Sequence, residues 1–233
     1  MRRFSFCFLS SVFLLVIALF SPTSRVGAEQ FIQNKVKLKN VFVDIHYDKS
    51  QVNLVRTEDQ NSTKISLVDK KSGKILETYG EIIQPLEQVA TKTVGMNDAS
   101  VANASGTYSI STVYRERNDG PAVSRLSTQL YIYSYDSFRQ INKVLNTWWS
   151  EASGGSWYLT RDVANTVSMT GSFPTTKVQT SGSATIEVKT SYSITGSFSI
   201  SALKEAGFTY GYSSGSDIYY RKPINLGFVY SLY

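Results

Sequence analysis

Cysteine, histidine and proline are nearly missing from this chain of 233 residues, which carries one Cys, one His and five Pro. The single cysteine, Cys7, sits inside the one long apolar run, Phe4 to Phe20. Outside that run, disulfides, thiolate nucleophiles, cysteine zinc sites and iron–sulfur clusters are all excluded. His46 has no second histidine to share a metal or a proton relay, and a lone histidine near a strand end is far more often solvated or capped than catalytic. No G-x-S-x-G elbow, glycine-rich phosphate loop, calcium loop or zinc spacing occurs. The sequence therefore offers no catalytic residue, no metal site and no cofactor site. Glycoside hydrolysis needs only two facing carboxylates, so a carboxylate-dependent extracellular hydrolase stands as one alternative. The acids of the C-terminal region, Glu116, Asp119, Asp136, Glu151, Asp162, Glu187, Glu205 and Asp217, are scattered along it.

Excess charge of one sign is also scarce. The formal net charge is +6, from 24 basic and 18 acidic residues. The first 28 residues are laid out as a secretory signal peptide: Arg2 and Arg3, the apolar run, Pro22, then Val26-Gly27-Ala28 as a small-residue cleavage site. Cleavage before Glu29 removes three of the 24 basic residues, Arg2, Arg3 and Arg25, and none of the 18 acidic ones, which leaves +3. So mild a balance on a secreted chain excludes nucleic acid as a partner. The localisation expected is extracellular. Asn61-Ser62-Thr63 and Asn103-Ala104-Ser105 match the glycosylation triplet, a signal with meaning only in a eukaryotic secretory route.

What is present is β pattern. Thr185 to Ser201 alternates strictly: Ile186, Val188, Tyr192, Ile194, Phe198 and Ile200 fall on even positions, and the odd ones are Ser, Thr, Glu or Lys. Seventeen residues would span roughly 56 Å as a single strand, so a bend is expected within it. Val167-Ser-Met-Thr-Gly-Ser-Phe173 recurs as Tyr192-Ser-Ile-Thr-Gly-Ser-Phe198, which suggests two neighbouring strands bent alike at Gly171 and Gly196.

Residues 29–91 form a charged, β-rich N-terminal region. Strands are expected within Val36–Tyr47 and Gln51–Arg56, then a hairpin, Lys64–Asp69 and Lys74–Tyr79, turned by Asp69 and Gly73. Glu81–Thr91 reads as a short helix broken by Pro85. Residues 92–106 are small and polar and read as a linker. Residues 107–233 form an aromatic, Ser/Thr-rich antiparallel domain, in which Asn118-Asp119-Gly120 signals a hairpin. One amphipathic helix is expected over 137–153. Ser137 and Gln140 match a capping box, and Phe138, Ile141, Val144, Leu145, Trp148, Trp149 and Ala152 share one face at helical spacing. The fold class is thus mainly β, antiparallel and sandwich-like, with that helix packed on the sheet.

The leading function is extracellular binding or interaction, with a glycan, cell-surface or protein partner. Trp157, Tyr158, Tyr210, Tyr212, Tyr219 and Tyr220 lie near glycine-rich loops and are the candidate ligand surface, since each offers flat apolar area with a polar edge. The other alternative is a β-pore-forming protein that inserts the amphipathic hairpin 163–201, with Ile194, Phe198 and Ile200 facing lipid.

Overall fold

The computed structural model describes residues 34–85 and 106–233. The signal peptide, residues 86–91 of the expected helix and nearly all of the linker lie outside the described residues. Among the described residues, twelve strands make two six-stranded antiparallel sheets. The first joins, in order, β3 (Val52–Glu58), β4 (Ser62–Asp69), β5 (Ile75–Pro85), β6 (Thr107–Asp119), β7 (Ala122–Tyr135) and β8 (Phe138–Glu151). The second joins β1 (Asn34–Lys37), β2 (Phe42–Ile45), β12 (Asp217–Ser231), β10 (Lys177–Thr190) and β9 (Trp157–Ser168), with β11 (Thr209–Ser214) paired to β12. Both sheets contribute to one core, in which Leu67, Val113, Leu126 and Ile141 of the first meet Val43, Ile186, Val188 and Tyr230 of the second. The charged N-terminal region and the aromatic region share these sheets, since β5 pairs with β6 and β2 with β12. The shift in composition near residue 100 therefore marks no boundary between them.

Local chemistry places the turns. Asp69 Oδ1 accepts hydrogen bonds from the backbone N–H of Lys71 and Ser72, and Gly73 takes a φ of +68°, as the hairpin pattern requires. Gly120 likewise turns β6 into β7 at a φ of +76°. Pro85 ends a strand rather than interrupting a helix. Despite its Gly and Ser content, Thr209–Ser214 is a strand, β11.

The helix expected over 137–153 is instead β8. Asp136, with a φ of +52°, opens a two-residue turn that sets Tyr135 opposite Phe138, so the capping-box match is a hairpin turn. Register shifts between Gln129 and Leu130 and between Tyr131 and Ile132 leave Leu145 and Asn142 unpaired on β8. Each bulge stretches the inward period from two residues to three. Ile141, Val144, Thr147 and Trp149 consequently oppose the inward residues of β7 at spacings that imitate a helix. The described residues hold only one short α-helix, α1 (Ile200–Glu205), which Ser199 caps and Leu203 anchors in the core.

The long alternating stretch is also divided. The dry parity begins earlier than expected, at Val178, and β10 stops at Thr190. A turn, a short 3₁₀ segment (Gly196–Phe198) and α1 follow, and Phe198 and Ile200 still pack against the core from them. Gly171, at φ +97°, lies in the bend after β9, and Gly196, at +76°, opens the 3₁₀ segment after β10, so the repeated heptapeptide marks two strand exits rather than two bent strands.

Candidate functional site

The pleat parts the six aromatic residues expected to make one surface. Glu187 of β10 lies opposite Tyr158 of β9 and Arg221 of β12, and Lys189 lies opposite Tyr219. Directly opposed residues share a face, here the outer one. A bulge at Gly211 then sets Tyr212 opposite Tyr219 on that same face. Trp157 and Tyr220 both oppose Val188, point inward and are core residues. Tyr210 opposes Tyr220 and meets its ring edge-on at 6.3 Å, on the inner side of the β11–β12 hairpin, yet it is 60% exposed at the margin of the sheet.

At the centre of the outer group Glu187 is only 3% exposed. The Tyr158 and Tyr212 hydroxyls both donate to its Oε1, the latter at 3.3 Å, and Arg221 Nε donates to Oε2. The Tyr212 ring stacks on Tyr219 at 4.3 Å and 3°, with the Arg221 guanidinium 5.0 Å from the Tyr212 centroid. Burial alone would push the Glu187 carboxyl up. The hydrogen bonds from Tyr158 and Arg221 and the Arg221 charge outweigh it and hold the group below the usual carboxylate range. The hydrogen bond to that carboxylate, followed by burial, raises the Tyr158 phenol. Glu187 is thus a charged acceptor, unsuited to act as an acid. Next to it Lys189 Nζ pairs with Asp217 at 2.7 Å, so the platform of tyrosines is electrically balanced.

Farther along the same strands lies a cleft of about 710 Å³. Its floor crosses β9, β10 and β12 at Asn165, Ser181, Ser183 and Asn225, all exposed, and none of these side chains is hydrogen-bonded among the described residues. Its wall is the seam where Arg115 of β6 donates to the Gly227 carbonyl and Arg117 to that of Asn225 at 3.4 Å. Two buried carboxylates, Glu77 and Glu116, border the cleft, the pairing a hydrolase reading asks for. Both are committed elsewhere. Glu77 binds Arg115 and the Tyr79 hydroxyl, and Glu116 binds Arg125 and Lys64. Because Glu116 opposes Thr78, the neighbour of Glu77, the two lie on opposite faces of the sheet.

A second groove, of about 500 Å³, opens at the tip of the β11–β12 hairpin between Tyr192, 89% exposed, and Tyr210, with Asp217 beside them. It is separated by the hairpin from the Tyr212–Tyr219 stack. Ile194, Phe198 and Ile200, expected on one lipid-facing strand, lie in the turn, the 3₁₀ segment and α1. No shared strand face turns them outward together in this fold.

No protein-family model matches this chain, and neither a curated protein nor a solved structure does. Its chemistry rests on its own geometry. Among the described residues no cluster of His, Cys, Asp and Glu could hold a metal ion, and no helix is long and apolar enough to cross a membrane. Of the six aromatic residues expected to share one surface, the outer face brings together Tyr158, Tyr212 and Tyr219. Sequence reasoning missed Tyr192, which the alternation put on the dry face, and Glu187, which passed as one of several scattered acids. The signal for Glu187 was present, because the wet parity Ser181, Ser183, Thr185, Glu187, Lys189 is itself a surface strip.

Proposed function

We propose that the protein is secreted and binds an extracellular glycan on the outer face of its second sheet. The observation that carries this reading is the Tyr158–Glu187–Arg221 rung with Tyr212 stacked on Tyr219, a rigid and charge-balanced platform. Tyr158 and Tyr212 are each 38% exposed, so each ring presents apolar area while its hydroxyl is fixed by the buried carboxylate. Ring faces suit the C–H faces of sugars, and held phenolic oxygens keep acceptor capacity for sugar hydroxyls. Fixing the rings in the free protein lowers the entropic cost of binding.

The test is a glycan array followed by calorimetry with the glycans retained. Tyr158→Ala and Tyr212→Ala weaken binding about tenfold or more, in the range of interface tyrosines. Tyr210→Ala, on the other side of the hairpin, leaves it unchanged. Loss with Tyr210→Ala and none with Tyr212→Ala would move the site to the hairpin-tip groove and refute this placement.

A further inference from the structure

The platform and the cleft at the β6–β12 seam lie on one continuous outer surface. Successive outward rungs along β10 toward the cleft are Tyr158–Glu187–Arg221, Thr160–Thr185–Pro223, Val163–Ser183–Asn225 and Asn165–Ser181–Gly227, read from the register with β9 and β12. Glu187 and Ser181 are six residues apart, roughly 20 Å along a strand. A strip of that length exceeds one sugar ring. We infer that the ligand is an uncharged, extended polysaccharide chain lying along β10 and β12, held by the tyrosine platform at one end and by Asn165, Ser181, Ser183 and Asn225 in the cleft at the other. This rests on the glycan-binding reading above and specifies its ligand.

Two features select such a chain. The cleft end offers amides and hydroxyls with no internal partner, and these groups donate and accept in turn, as sugar hydroxyls do. Gly227 adds no side chain to the floor between Ser181 and the seam, so the surface stays shallow enough for a chain to run over it. Charge argues against an anionic or cationic polymer. Along the strip Arg221 is paired with Glu187 and Lys189 with Asp217, and at the seam Arg115 is paired with Glu77 and Arg117 with Asp119. Arg161 and Asp162, which border the strip at the β9 bulge, are adjacent and opposite in sign. A peptide chain would need pockets for alternate side chains, whereas of the large apolar side chains lining the cleft Leu226 is buried, Tyr47 and Leu76 are half-buried, and Val163 stands out from the floor at 66% exposed.

The experiment is calorimetry with β-1,4-linked oligomers of glucose, N-acetylglucosamine, xylose and mannose, from disaccharide to hexasaccharide. It uses the secreted chain and its Asn165→Ala/Asn225→Ala and Tyr212→Ala variants. In at least one series, affinity rises about tenfold or more from disaccharide to hexasaccharide. The double variant removes that rise and leaves disaccharide binding as it was, whereas Tyr212→Ala weakens every length. Both altered asparagines are exposed, so an unchanged unfolding midpoint confirms that the double variant is folded. Affinity that is independent of length, yet lost with Tyr212→Ala, overturns the extended chain and leaves the platform reading intact. Failure of every oligomer to bind overturns both.

Discussion

Trp148 and Trp149 are neighbours in sequence and opposites in the fold. Trp149 is 7% exposed, its indole N–H donates to the Val163 carbonyl at 3.1 Å, and it fills the space above Gly182, where an added Cβ would lie 2.7 Å from its ring nitrogen. Trp148 opposes Ser127 on the outer face of β7 and is half-buried. Truncating a buried Trp costs about 3 to 5 kcal/mol, and leaving the Val163 carbonyl without its donor keeps Trp149→Ala toward the upper end, at about 4 to 5 kcal/mol. Trp148→Ala, which removes half-buried area and no such hydrogen bond, costs about 1 to 2 kcal/mol. For a body of this size each kcal/mol moves Tm by about 2 to 4 °C, so the two variants differ by several degrees in a thermal melt and more clearly in urea. On a helix, both residues would lie on one buried face and cost similar amounts. Equal losses for Trp148→Ala and Trp149→Ala would refute the inward and outward assignment of β8.

Further expectations bear on other parts of the fold. At Gly80 an added Cβ would lie 2.1 Å from the Tyr114 ring, so Gly80→Ala lowers stability by about 1 to 3 kcal/mol, and most of that is recovered in a Tyr114→Ala background, as a urea double-mutant cycle shows. Glu187 has a lowered folded pKa, so its contribution is present above the unfolded carboxyl range and fades as pH falls through the folded value. Unfolding at pH 7 and pH 3 should therefore show a smaller acid-induced loss in Glu187→Gln than in the parent chain. Thr180→Val, which takes one hydroxyl from the buried set of Thr128, Thr147, Thr166 and Thr180, costs about 1 to 3 kcal/mol in the same assay.

Sequence pattern was most legible where one physical rule governed a stretch alone. The β4–β5 and β6–β7 hairpins could be read because Asp69 with Gly73, and Asn118-Asp119-Gly120, leave their turns little conformational choice. The dry face of β10 could be read from strict alternation. The misreadings share one cause, a local signal with two physical meanings. In β8 two bulges lengthened the inward repeat to three residues, and a bulge is defined only by register against the partner strand, which the pattern of one strand does not contain. After Thr190 the apolar parity continued, because Phe198 and Ile200 still reach the core, although the backbone carrying them had left the sheet. Tyr158, Tyr212 and Tyr219 gather only because a bulge at Gly211 shifts β11 by one residue, which no periodicity in β11 announces.

The polar interior supports the proposed placement of binding on the outer face of the second sheet. Glu81 is fully buried, accepts from the backbone N–H groups of Lys39, Asn40 and Val41 and from the Ser111 hydroxyl, and so ties the β1–β2 turn onto β5 and β6. Asp119 is shared by Arg117 and Lys222, which joins β6 to β12. The four threonines hydrogen-bond with one another across β7, β8, β9 and β10, where the two sheets meet. Each of these groups satisfies a buried partner, and a ligand could reach one only by breaking a contact between strands. On the outer face of the second sheet, Asn165, Ser181, Ser183 and Asn225 are exposed and keep their hydrogen-bonding capacity, in line with the Tyr158 and Tyr212 rings. The proposed binding there opens no strand contact, since these side chains already face outward.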